Sequence, residues 1–205
     1  MGIALVLLPV SCATPGLGTY GIHLSRVQQD PALEQSLYAE TSTAEKEGIT
    51  YYHYRDNKIN IDWHIENTRF AFSLSNVSGQ SIRIPWDEAV YVDQDGKAKR
   101  VIHDGIAFER KNEAQPLSVV PHGAGIDDFL LPADNIVPEN KNYVSWQTFY
   151  LFYDREKNVG QEVKVILPIV MQDHQYDYVF TFKVTQWQED EKKRGLFSFL
   201  QKSNK

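Results

Sequence analysis

The residues best equipped for chemistry are histidines and carboxylates scattered between positions 87 and 174. His103-Asp104, His122, Asp127-Asp128 and His174 would form a metal site or an acid–base set if the fold gathered them. Histidine with carboxylate is the usual vocabulary for both. A hydrolase relying on a metal held by His103, His122 and neighbouring carboxylates is therefore one reading. The spacing does not favour it: six histidines are spread along the chain with no close His-x-x-x-His pair. Asp93-x-Asp95-Gly96 has the opening of a calcium loop. Lys97 and Lys99 follow it, and no bidentate Glu stands at the required distance, so a β-turn capped by Asp side chains is the better reading. Trp86, Asp87, Arg100 and His103 sit on neighbouring runs and are expected to form a polar corner, with Asp87 and Arg100 as an ion pair. Residues 143–153 are rich in aromatics. Trp146, Tyr150, Tyr153 and the nearby Arg155 make the candidate contact surface, since aromatics and Arg dominate binding hot spots. No Gly-x-Ser-x-Gly elbow and no phosphate-cradling glycine loop occurs.

The elements that must position these groups are strands. Ile59, Ile61, Trp63 and Ile65 alternate with Asn60, Asp62, His64 and Glu66, and Phe70, Phe72 and Leu74 repeat the pattern. Period two places successive side chains on opposite faces, and the short polar link at residues 66–68 makes the pair a hairpin. Further strands are expected at 49–54, 82–86, 90–92, 97–102, 117–120 and 126–131. A last hairpin is expected from 163–171 and 176–187. Pro85 suggests an edge or bulge. Residues 146–153 are ambiguous between helix and strand. Closely spaced short strands with polar turns point to an all-β sandwich or barrel.

The chain of 205 residues is 42% hydrophobic with a formal net charge of -6, which suits one globular domain with tails and argues against a phosphate-binding nucleic-acid surface. Asp30-Pro31 with Glu34 reads as the start of a short helix, to about residue 40. Residues 41–47 read as linker. The division expected is 1–12 signal, 13–47 tether with the short helix, 48–188 β domain and 189–205 charged tail.

The opening MGIALVLLPVSCATPG has an apolar run at 3–10, too short to cross a bilayer, ending in Ser11-Cys12-Ala13. It resembles a bacterial lipoprotein signal, which implies that Cys12, the single cysteine, becomes the lipid-modified (palmitate-type) anchor. The run FAFSLSNVSGQSIRIPWDEAVYVDQDGKAKRV at 70–101 has a strand ending in Asn-x-Ser, a second strand and an Asp-x-x-Gly turn. It resembles immunoglobulin-like domains of uncharacterised bacterial cell-envelope lipoproteins. That resemblance implies an antiparallel immunoglobulin-like β-sandwich and an address at the envelope, with the outer membrane expected. It carries over no catalytic residue and no cofactor. The expectation is a non-enzymatic module that binds another envelope protein. A glycan- or peptidoglycan-binding module is the alternative, and the metal-dependent hydrolase stands last.

Overall fold

The apolar residues at period two become the inner face of one antiparallel sheet. The computed structural model describes residues 18–29, 39–139, 145–152 and 156–189. In chain order the strands are β1 (Gly18–Gln28), β2 (Glu40–Lys46), β3 (Ile49–Arg55), β4 (Ile59–Ile65), β5 (Phe70–Asn76), β6 (Ile82–Ile84) and β7 (Val90–Val92). They continue with β8 (Ala98–Ile102), β9 (Ser118–Val120), β10 (Gly125–Pro132), β11 (Ile136–Pro138), β12 (Trp146–Thr148), β13 (Glu162–Met171) and β14 (His174–Glu189). Twelve strands share a sheet whose main path runs β1-β14-β13-β7-β8-β10-β5-β4-β3-β2, with β6 joined to β13 and β9 to β6. The protein is thus mostly antiparallel β-sheet, and the sheet is curled. Strands β11 and β12 form a separate pair. Among the described residues there is no α-helix, only short 3-10 turns.

Side-chain contacts show the curl directly. β14 and β3 stand near opposite ends of the path, yet Tyr54 meets Phe180 at 5.7 Å between ring centroids. Trp63 of β4 lies between Phe72, Phe180 and Phe182, at 4.9, 5.0 and 5.8 Å. Ile59, Ile61, Trp63, Phe180, Phe182 and Val184 are wholly buried, while Asn60, Asp62 and His64 keep partial access to solvent. A smaller cluster of Ile102, Leu131, Ala133 and Ile136 lies under β11 and β12.

Proline falls where the ladder has no use for its missing donor. β13 pairs with β7 at 164–166 and with β6 at 170–171, and Pro168 lies in the gap between them. Pro85 follows the last residue of β6 and leads into the 3-10 turn Trp86–Glu88.

The reading of 13–47 as tether and linker is corrected. Residues 18–28 and 40–46 are strands, so the sheet begins thirty residues before position 48. Two local features explain β1. A Cβ at Gly18 would collide with the Gln188 carbonyl and the Trp187 ring, and one at Gly21 with the Gln186 side chain, so glycine lets β1 lie close on β14. At the other strand, Glu47 and Gly48 both take positive φ, 54° and 77°, as a tight two-residue hairpin turn requires. That turn pairs β2 with β3 from Lys46↔Ile49 to Glu40↔Arg55. The expected helix at 30–40 falls almost entirely on 30–38, and Cys12 and the signal fall on 1–12. Both lie outside the described residues.

Burial raises the pKa of Tyr52, Tyr54, Tyr91 and Tyr178; neighbouring carboxylates (Glu45, Asp56 and Asp93) push the same way. A folded-state pKa above the unfolded value near 10 gives stability that is complete below pH 10 and lost as pH rises beyond it. In a spectrophotometric titration, these four tyrosines are therefore expected to ionise only as the chain unfolds, in step with loss of the β-sheet signal in circular dichroism. Their ionisation in a still-folded chain would contradict the packing.

Candidate functional site

The polar corner forms around a buried histidine. Arg100 Nη2 donates to Asp87 Oδ1 at 2.6 Å, and both Asp87 oxygens accept from the Gln115 amide at 3.2 Å. Gln115 spans to the next strand: its Nε2 donates to the Val101 carbonyl at 2.9 Å, and its Oε1 accepts from His103 N at 3.3 Å. The His103 ring stacks on Trp86 at 4.3 Å, with 9° between planes. Its Nδ1 is 3.1 Å from Asp128 Oδ2, and its buried Nε2 has no hydrogen-bond partner. Asp128 also accepts from the amides of Asp104 and Phe129, at 2.8 and 2.7 Å. The structure therefore brings Asp87, Arg100 and His103 into one network, joined by Asp128, which the sequence had grouped with His103, and by Gln115, which it had not. Its chemistry is that of a staple. It ties the 103–117 loop to β8 and β10, and the Asp87–Arg100 pair is partly exposed to solvent, where such pairs contribute at most about 1 kcal/mol.

The other histidines are not gathered with it. His122 bonds through Nδ1 to the Ser78 carbonyl, and His174 packs on Tyr176. Among the described residues, no group of three or more His, Cys, Asp or Glu could hold a metal ion. The Asp93 turn is the capped turn expected. Asp93 Oδ1 accepts from the amides of Asp95 and Lys97, and Lys99 Nζ stands 3.3 Å from Oδ2. Burial alone would raise the Asp93 pKa. The hydrogen bonds from Lys97, Lys99 and Asp95, with the charge of Lys99, outweigh it and hold the carboxyl below its usual range.

The aromatic segment is divided. Trp146 lies in β12, packs on the smaller cluster and donates through Nε1 to Glu109 Oε1 at 2.9 Å. Tyr150 lines a small cavity with Gly18, Tyr20, Ile65 and Phe152. Tyr153 and Arg155 lie outside the described residues.

A much larger concavity lies where the two ends of the sheet approach each other. A groove of about 740 Å³ runs between the outer edge of β1 (Tyr20, Ile22, His23) and the β2–β3 hairpin (Thr43, Glu45, Ile49, Thr50, Tyr52), with His64, Ile65 and Glu66 at one end. That volume lies in the range of ligand sites. The cavity beside Tyr150 adjoins it, since Tyr20, Ile22, Ile65 and Glu66 line both. Tyr52 reaches across to donate its hydroxyl to the Ile22 carbonyl on the edge of β1, and the His23 ring meets Tyr52 edge-on at 5.8 Å. Tyr52 is kept neutral by burial first and by the charge of Glu45 second. Glu66 is taken up by a two-point pair with Arg69, at 2.8 and 2.9 Å, and has His64 at 3.4 Å. Glu45 accepts from the Thr50 hydroxyl. The groove wall therefore offers tyrosine and histidine rings, aliphatic surface, carboxylates and a strand edge, with no Lys or Arg among the described residues of its lining.

Comparison of the chain with protein-family models, curated proteins and solved structures finds no match in any of the three. Among the described residues, no helix is long and apolar enough to cross a membrane.

Proposed function

We propose that the chain is a bacterial envelope lipoprotein, anchored through a lipid on Cys12, whose β domain is a non-enzymatic module that binds another envelope protein. The observation that carries the binding reading is the groove between β1 and the β2–β3 hairpin. It is a concavity of about 740 Å³, and its wall includes a strand edge with main-chain groups to offer. The Ser11-Cys12-Ala13 signal and the pattern at 70–101 support the address. The facing of β14 against β3 and β4 supports reading the curled sheet as two layers of an immunoglobulin-like sandwich.

Anchor and groove are close along the chain. Five residues separate Cys12 from Gly18, where β1 begins, and an extended chain spans at most about 3.6 Å per residue step. The start of β1 thus lies within roughly 20 Å of the lipid, so a partner reaching the groove sits at the membrane surface. Multiple acyl chains on Cys12 would make that attachment stable, at about 0.8 kcal/mol per buried CH₂.

The test uses affinity capture from detergent-solubilised membranes with the full lipidated chain. Thr43 is exposed on the groove wall, so Thr43→Arg is expected to fill the groove without disturbing the fold. The wild type is expected to retain an envelope protein that Thr43→Arg loses by tenfold or more. Equal retention by both would overturn the groove as the binding site.

A further inference from the structure

The groove has one wall that is not made of side chains. Among the described residues β1 pairs only with β14, so its other edge is an end of the described sheet. That edge faces the groove, as the bond from the Tyr52 hydroxyl to the Ile22 carbonyl shows. A carbonyl oxygen has two lone pairs, and Tyr52 occupies one. The opposite free edge, on β2, does not compare: all seven residues of β2 are exposed, and the groove lies on the side of its hairpin that faces β1. A strand added at β1 would have main-chain partners on one side and the Tyr52 and Ile49 surface beside it.

We infer that an extended segment of the partner polypeptide adds to the free edge of β1 as a further strand, with a lysine or arginine side chain placed against Glu45. The inference rests on the groove being the binding site and names what enters it. Charge selects the side chain. Among the described residues the ionisable groups of the lining are Glu45, Glu66, His23, His64, Tyr20 and Tyr52, with no Lys or Arg. Glu66 is already neutralised by Arg69, whereas Glu45 makes no ion pair among the described residues. A cation at the mouth would meet an uncompensated carboxylate. Geometry sets the length. Register shifts at Gly21/Ile22 and Leu24/Arg26 leave a regular run only at residues 22–24 between them, so the added pairing is short and centred on that run. Main-chain pairing would give affinity, and alternate side chains turned into the groove would give selectivity.

The experiment probes the full chain in detergent with an array of random decapeptides. The tightest peptide is then resynthesised with a single N-methyl group at each amide in turn. Peptides with Lys or Arg at one fixed position are expected to be enriched. N-methylation is expected to weaken binding tenfold or more at every second amide of a four- to six-residue stretch and to be tolerated at the amides between. Glu45→Lys, at an exposed position, is expected to weaken the same peptide at least tenfold and to switch the preference to Asp or Glu. No enriched peptide, tolerance of N-methylation at every amide, or an unchanged preference with Glu45→Lys would each overturn strand addition. Retention of soluble peptidoglycan fragments by the wild type in place of peptides would also overturn it, while leaving the groove reading intact. That reading falls only if Thr43→Arg captures what the wild type captures.

Discussion

Asp56→Ala is expected to destabilise the domain by about 3–5 kcal/mol, a large part of the 5–15 kcal/mol that holds a typical domain folded. The carboxylate is 9% exposed and accepts five hydrogen bonds. Oδ1 takes the amides of Lys58 and Ile59, at 2.8 and 2.7 Å, and so shapes the turn between β3 and β4. Oδ2 takes the hydroxyls of Tyr54 and Tyr178, both at 3.0 Å, and Gln29 Nε2 at 2.7 Å. One side chain therefore fastens the end of β1, the β3–β4 turn and β14 at a single point. Alanine would leave two buried hydroxyls and two turn amides without their acceptor, and each unsatisfied buried group costs about 1–3 kcal/mol. Asp56→Asn keeps an oxygen for the amides and is expected to cost less, about 1–2 kcal/mol. Urea denaturation at pH 7 checks both. A loss below 1 kcal/mol for Asp56→Ala would show that the node does not hold the sheet ends together.

Trp63→Ala is expected to cost about 3–5 kcal/mol, through the lost ring and the cavity left among Phe72, Phe180 and Phe182. The ring is fully buried where the curl brings β4 onto β14, so its removal acts on the contact between the two faces. Trp63→Phe supplies the contrast. The indole Nε1 is buried without a hydrogen-bond partner, so replacing it forfeits no bond. The phenylalanine variant is expected to lose about 1.5 kcal/mol or less. Urea midpoints for the pair measure the difference. Equal losses would mean that indole volume, and not an aromatic ring of roughly fitting size, is what the site requires.

The parts of the fold legible in the sequence were those whose strands bury one face. β4 and β5 carry alternating large apolar residues on both members of a hairpin, and their register from Ile59↔Asn76 to Ile65↔Phe70 follows from the short link. β13 and β14 were legible in the same way. β2 was not, because a strand exposed at every residue has no burial period to read, and Glu45, Lys46 and Glu47 look like linker. Its only signal was local: β-branched Thr41 and Thr43 before a Glu-Gly turn. β1 was hidden by its glycines, whose use depends on Trp187 and Gln186 far along the chain.

The polar corner was partly legible, since Asp87, in the 3-10 turn before β7, and Arg100, in β8, are close along the chain. Asp128 stood beside His103 in the sequence only as one of several candidates, and what selects it is the pairing of β10 with β8. The groove could not be read at all. It exists only because the curl brings β1, at one end of the path, opposite β2 and β3 at the other.

The most direct measurement places a photocrosslinking amino acid at position 43, in the groove wall, or at Val119, on an exposed site of β9 outside the groove lining, in the lipidated chain in living cells. Irradiation at position 43 is expected to give one dominant adduct with an envelope protein, absent from position 119. Equal adducts at both positions, or none at position 43 with the chain folded and membrane-attached, would contradict the account of a tethered module that binds through this groove.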